Sequence, residues 1–378
     1  PFSMPGLLWN MMMSMSGSWI FLIASESISV HNQTIVLPGV GSYLSLAISQ
    51  ASMSGVVYTI LTMLIVILLY DQLFFRPLLN WSKKFTFEQV SQEYVSRSWI
   101  TVLLQRTYIL KYLSHFLGIF GDAIVNLSFA NGIKQEPVAK KPAPNRFIEL
   151  IWYTSLTVLV TGSLWLLLHF IFKHISSHEL FHVLLLGLIT ALRIVTIILI
   201  ASIIWIPIGV FIGLNRRIAE WVQPIAQFLA AFPANVLFPV AVILILRYRL
   251  NIEIWSTPLL LLGTQWYILF NIIAGTAALP EDLKEASSNF GVKGWQWWRR
   301  LILPGIFPHW ITGTITAIGG GWNITILTEV ISWGSTTLTA TGLGSYIAES
   351  TAAGDFPRVA LGMAMMSAFV LVMNHLVW

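Results

Sequence analysis

His178-Glu179-Leu180-Phe181-His182 sets two imidazoles one helical turn apart with a carboxylate between them. That is the spacing by which zinc proteases hold their metal and activate water. No third ligand is evident nearby and eight His make a chance match easy, so a membrane zinc metalloprotease is an outlying alternative and no metal is assigned. Cys is absent, which removes thiolate metal sites and cysteine nucleophiles. No Gly-x-x-x-x-Gly-Lys-Ser/Thr occurs, so the chain cannot cradle a nucleotide in a P-loop.

Three charges fall in or at the ends of apolar runs: Glu26, Arg193 and Glu329. A charge at the centre of a membrane helix costs roughly 2.5–3.5 kcal/mol, so it faces a cavity or a partner. Glu26 and Glu329 read either as a gate or structural pair, or as outer-boundary residues reaching water. Arg193 either pairs with one of them or attracts an anionic solute. Gly319-Gly320-Gly321 before Trp322 reads as a close-packing site, with a hinge lining a pathway as the sharper alternative. Glu26, Arg193, Gly320, Trp322 and Glu329 are the candidate translocation residues.

A different chemistry is written between 281 and 304. Glu281-Asp-Leu-Lys-Glu-Ala-Ser-Ser-Asn-Phe opens with acid, as a helix N-terminus favours, and stops at Gly291. A basic, aromatic stretch with Trp295, Trp297, Trp298, Arg299 and Arg300 follows, and Pro304 restarts the chain into an apolar run. Such a loop suits docking into a groove of a cytoplasmic partner; the plain alternative is an interfacial loop.

These residues must be positioned by a membrane bundle. Of 378 residues, 56% are hydrophobic and 10% charged, against roughly 25% charged in soluble domains. That composition excludes disorder, coiled coil and a water-soluble enzyme, and a net charge of +5 is too small for a nucleic-acid surface. A bilayer core of about 30 Å needs roughly 20 apolar residues per helix. Eight spans are expected, near 5–25, 54–75, 148–172, 182–214, 224–246, 257–279, 308–331 and 356–378, with Pro207 marking a kink or tilt. With the 280–304 loop in the cytoplasm, that side gathers sixteen Lys and Arg against four outside, as the positive-inside rule requires. Residues 76–147 hold ten of the basic residues and read as a cytoplasmic linker, with an interfacial helix at 100–129 or, less simply, a ninth span.

An internal repeat underlies this layout. At an offset of 303, residues 1–75 meet 304–378 without a gap, and eleven of the 27 pairs from Gly17 to Tyr43 are identical. Glu26 meets Glu329, Trp19 meets Trp322, and Gly39-Val-Gly-Ser-Tyr43 meets Gly342-Leu-Gly-Ser-Tyr346. The expected organisation is the end of a first repeat at 1–75, the linker at 76–147 and a second repeat at 148–378. On this reading the natural protein extends upstream by roughly 200 residues or more, the length that would complete the first copy.

The spacing of 281–304 resembles the EAA loop of inner-membrane permeases of binding-protein-dependent ABC importers. Glu285-Ala286-Ser287 is followed by Gly291 and then by Leu301-Ile302-Leu303-Pro304, departing from the family pattern only at Ser287 and Leu301. Glu329-Val-Ile, Thr341-Gly-Leu-Gly344 and Asp355 look like the nitrate, sulfonate and taurine branch. The resemblance implies an all-α polytopic bundle of the type I importer fold in the bacterial inner membrane. It implies that Glu285, Ala286, Ser287, Gly291, Leu301, Leu303 and Pro304 couple to cytoplasmic ATPase subunits carrying ATP and Mg, and that a soluble substrate-binding protein docks outside. This chain itself would be neither an enzyme nor a holder of a cofactor. The solute would be small and anionic; an ATP-independent carrier or channel is the alternative.

Overall fold

The structure, a computed structural model, describes residues 4–30, 33–75, 77–78 and 146–377. The interfacial helix expected at 100–129, and the linker apart from 77–78 and 146–147, lie outside these residues. The chain folds as two units, residues 1–96 with 175–378, and residues 97–174.

The first unit begins with α1 (Met4–Ser25), a hairpin of β1 (Ser27–Val30) and β2 (Gln33–Val36), a short helix α2 (Val40–Ser49) and α3 (Met53–Tyr70). Ser52 caps α3 by accepting from the Gly55 N–H, and the helix ends in a π-helical turn over Asp71–Phe75. The second unit contributes α4 (Arg146–His174), whose Glu149 in the first turn and Lys173 and His174 in the last complement the helix dipole. Its Ser155, Thr157 and Thr161 hydroxyls donate back to the helix's own carbonyls, which lets them sit in an apolar span.

The first unit resumes with α5 (Ser177–Leu214), started by Ser176, whose hydroxyl accepts from the Glu179 N–H. At 38 residues it is about 57 Å long, nearly twice a bilayer core, and runs through Pro207 as one helix. Then come α6 (Arg216–Ala231), a 3-10 turn at Ala234–Leu237, α7 (Phe238–Arg247), α8 (Ile252–Ala277), α9 (Glu281–Asn289) and α10 (Gly294–Trp297). A π-helical turn at Trp298–Ile302 leads into α11 (Leu303–Thr328), and a hairpin of β3 (Val330–Trp333) and β4 (Thr336–Thr339), α12 (Leu343–Ala353) and α13 (Phe356–Val377) complete the unit.

Six helices among the described residues are long and apolar enough to span, or seven if a bent pair counts as one crossing. The expected eight is not confirmed, and one of its runs is corrected. The run at 224–246 is not a straight helix: Arg217–Ala231 and Ala234–Arg247 meet at 73°. The break falls at Phe232-Pro233, because Pro233 has no N–H to continue the ladder and pushes Phe232 to extended geometry. The run at 5–25 forms the 22-residue α1, as expected.

The core is shared between sequence-distant segments. Ile23, Leu44, Val56, Met63 and Ile67 from residues 4–75 pack with Ala231 and Val236 from beyond residue 175. A second cluster joins Ile212, Ala219, Ala226 and Ala230 to Leu269, Phe270 and Ile273, and a third holds β3 through Ile331 against Phe238, Val242 and Leu259. α8 lies centrally, against α5 on one side and α11 on the other.

The 303-residue offset recurs in the geometry. Ser27 pairs with Val36 in the first hairpin and Val330 with Thr339 in the second, in the same antiparallel register. The Leu37 N–H donates to the Glu26 carbonyl at 2.8 Å and the Ala340 N–H to the Glu329 carbonyl at 2.7 Å. The two halves also cross: α2 packs on β3 and α12 on β1, and the Gly334 N–H donates to the Ile48 carbonyl at 2.8 Å.

Candidate functional site

The residues expected to couple to an ATPase form two short helices joined by a turn, Glu281–Asn289 and Gly294–Trp297. α9 begins after Pro280 with Glu281 and Asp282 in its first turn, and ends in reciprocal backbone bonds, Phe290 N–H to Ala286 carbonyl and Val292 N–H to Ser287 carbonyl. Gly291 follows at φ +64°, with open space where a side chain would stand. The turn therefore asks for glycine by its left-handed backbone and not by crowding. Glu285 is exposed and has no side-chain partner among the described residues, while Ala286 and Ser287 are half-buried. The exposed Lys284–Glu281 pair, at 2.9 Å, is of the kind worth little.

Beyond the turn, Leu301 and Ile302 are buried, Leu303 is half-buried and Pro304 is exposed. The loop is thus anchored at its base and free at its tip. Leu283, Phe290 and Trp295 are 51%, 84% and 71% exposed, so the tip presents bare apolar side chains around the free Glu285 carboxylate. An exposed apolar tip with charges at Asp282, Glu285 and Lys293 that have no side-chain partner among the described residues is equipped for a protein groove. Sequence reading singled out Trp295 but missed Leu283 and Phe290.

The opposite end of α11, about 39 Å away along the helix, holds a buried polar network. Glu329 is 0% exposed and accepts from an Arg193 guanidinium nitrogen, from the Thr190 hydroxyl at 2.9 Å and from the Ser345 N–H at 3.0 Å. The other terminal nitrogen of Arg193 reaches Glu253 at 3.3 Å and the Thr341 carbonyl at 3.4 Å. Glu253 in turn accepts from the Thr341 N–H at 2.8 Å and its hydroxyl at 2.7 Å, and the Thr190 hydroxyl accepts from the Leu343 N–H at 2.9 Å. The network fastens α5, α8 and α11 to the start of α12. Arg193 and Glu329 are brought together, as one of the two sequence readings had it; Thr190, Glu253 and Thr341 were missed.

Gly342 belongs to the same site by close approach, since a Cβ there would collide with the Glu329 carboxylate. Gly39 stands against Glu26 in the same way, and the Gly41 N–H donates to the Glu26 carboxylate. Glu26 is half-buried and has no cationic partner among the described residues. The two equivalent glutamates therefore share a cradle and differ in what neutralises them.

Trp322 is fully buried and stacks on Phe369 at 5.5 Å, its face turned to α13. Gly320 lies against the Tyr267 ring and Gly321 against Ile194 and Thr264, the close packing expected of the glycine run, while Gly319 meets nothing within 4 Å. The His178…His182 pair sits exposed at the start of α5, and Glu179 between them is committed elsewhere. Its carboxylate accepts from the Tyr346 hydroxyl at 2.9 Å and pairs with Arg358 at 3.2 Å. Burial, then the carboxylate itself, hold Tyr346 above tyrosine's ordinary range, so the phenol stays the donor. Glu179 ties α5 to α12 and α13 instead of activating a water.

Residues 205–377 match the family described as the binding-protein-dependent transport system inner membrane component. The bicarbonate transport system permease protein CmpB of Synechococcus elongatus is 24% identical over 178 residues, covering 47% of this chain and 61% of that protein. The nitrate import permease protein NrtB of Leptolyngbya laminosa is 23% identical over 179 residues, with coverages of 47% and 61%. The osmoprotectant import permease protein OsmY of Salmonella typhimurium is 26% identical over 181 residues, covering 47% and 71%. The chain thus spans about three-fifths of the length of the two cyanobacterial relatives. Over residues 205–377 the chain is thus similar to this family of inner-membrane transport components, and it has the all-α type I ABC permease fold, with six or seven candidate membrane crossings among the described residues.

Proposed function

We propose that the chain is the membrane permease of an ATP-driven, binding-protein-dependent importer that moves a small anionic solute into the cytoplasm. The observation that carries the reading is the loop at 281–304, rigid at its base, left-handed at Gly291 and bare at its tip, within a family-matched bundle. The bicarbonate and nitrate permeases among its relatives support the anionic solute. ATP and Mg belong to separate ATPase subunits whose closure pushes the loop, and a soluble binding protein delivers solute at the far face.

The matching hairpins and glutamate cradles at offset 303 support two permease repeats in one chain, at 1–75 and 148–378, joined by a cytoplasmic linker. Glu285, Ala286, Ser287 and Gly291 are the contact residues toward the ATPase, and Leu301, Leu303 and Pro304 join the loop to α11. Copurification tests this directly. Glu285→Lys with Phe290→Asp should strip the ATPase subunit from the solubilised complex and abolish ATP-dependent uptake; undiminished copurification and uptake would overturn the assignment.

A further inference from the structure

α7 and α8 are joined by a turn that carries positive charge without a partner. It lies at the start of α8, about 39 Å along that 26-residue helix from the 281–304 loop. Arg247, Tyr248 and Arg249 are all exposed, Tyr248 by 64%, and the Arg247 guanidinium lies 6.0 Å from the centre of the Tyr248 ring. The other arginines of this end are committed: Arg358 meets Glu179 at 3.2 Å and Asp355 at 3.5 Å, and Arg193 is buried on Glu329 and Glu253. Glu253, four residues beyond Arg249, turns one oxygen to Thr341 and the other to Arg193. Arg247 and Arg249 are left without a carboxylate among the described residues.

The backbone makes Arg249 the more informative of the two. Arg247 in the last turn of α7 suits the helix dipole, which accounts for a cation there. α7 ends as α9 and α12 do, with the residue after a left-handed position donating back across the last turn: Leu250 N–H to the Ile245 carbonyl at 2.9 Å, Val292 to Ser287 at 2.9 Å and Asp355 to Ser350 at 2.9 Å. The left-handed residue is Gly291 at φ +64° in α9 and Gly354 at +73° in α12, but Arg249 at +49° in α7. Ala51 after α2, at +50°, is the other non-glycine residue so placed among the described residues, and it carries only a methyl. A long cationic side chain at a position that favours glycine keeps a strained backbone, the kind of outlier that points to function.

Packing decides what meets this turn. Leu250 and Ile252 sit in the cluster of Phe238, Val242 and Ile331 together with Trp333, and Trp333 also packs on Ile23, Leu44 and Val56 of residues 4–75. The turn therefore stands beside the junction of sequence-distant segments, where one soluble protein can touch both, and not on a lone outer helix where headgroups would be its neighbours. Arginine on the outer side of a membrane also runs against the usual charge bias. We propose that Arg247 and Arg249, with Tyr248 between them, form the seat for a carboxylate-rich patch of a soluble protein at this face, and that this protein is the importer's solute-binding protein. The partner's identity rests on the importer reading. Arginine and tyrosine are the side chains that anchor interfaces, and exposed charges of opposite sign speed encounter and make it salt-dependent.

The assay is stimulation of ATP hydrolysis in proteoliposomes of the complete complex by the purified solute-binding protein that drives wild-type uptake. Arg247→Glu with Arg249→Glu should raise the half-saturating concentration of that protein about tenfold at low salt and remove most of its salt dependence. Basal hydrolysis and ATPase copurification should stay as in the wild type. Arg249→Gly relieves the left-handed strain, so it should melt no lower than the wild type and still raise the half-saturating concentration, which a merely structural arginine would not do. With Tyr248→p-benzoylphenylalanine, illumination should crosslink the chain to the binding protein. An unchanged half-saturating concentration in both variants, or a crosslink to phospholipid alone, would overturn the seat while leaving the importer reading in place. A wild-type complex that no binding protein stimulates would instead sink the importer reading, and the named partner with it.

Discussion

At the scale of residues, the decisive contact is Glu329 with Arg193, because both are withdrawn from water and each is the other's main compensation. Removing one partner of a buried pair strands the other charge, at a cost of about 3–5 kcal/mol. Arg193→Met should therefore lower the unfolding transition strongly in mild detergent, and adding Glu329→Leu should recover part of the loss. Glu26→Gln should matter far less, since Glu26 is half-buried and accepts only the Gly41 N–H among the described residues. If thermal melts rank Glu26→Gln beside Arg193→Met, the network does not hold the fold as described. The two charges were legible in the sequence because apolar surroundings expose them. Thr190, Glu253 and Thr341 were not, since hydropathy windows say nothing of contacts between residues 60 and more positions apart.

Elements explain where reading by window length succeeds and where it stops. Long apolar runs such as 182–214 became single helices, whereas the run at 224–246 bends by 73° because composition ignores what Pro233 does to the backbone. The loop at 281–304 was legible in its order of acid, glycine, base and proline; the exposure of Phe290 was not. Gly291 separates two explanations for a glycine at this place. Its φ is +64° and the space beside it is open, so Gly291→Asn, which tolerates left-handed backbone, should keep most uptake, whereas Gly291→Val should lose it. Strain of about 1–2 kcal/mol is enough to refold such a turn. Uptake that falls equally in both variants would show that the position needs glycine for a contact and not for its conformation.

Over the whole molecule, residues 4–75 share a core with residues beyond 175, through Ile23, Val56 and Met63 against Ala231 and Val236. Cutting the chain at a protease site inserted after Pro144 should leave the pieces bound to each other in mild detergent; separation on size-exclusion chromatography would contradict that packing. The repeat was visible in sequence as eleven identities, and its equal hairpin registers only in the fold. On the importer reading, this bundle should move solute only when an ATPase drives its loop. Reconstituted with ATPase subunits and binding protein, the vesicles should take up nitrate or bicarbonate only with ATP on the loop side, and not at all when the ATPase is left out. Uptake by the chain alone, indifferent to ATP, would contradict the account and make the protein a carrier or channel.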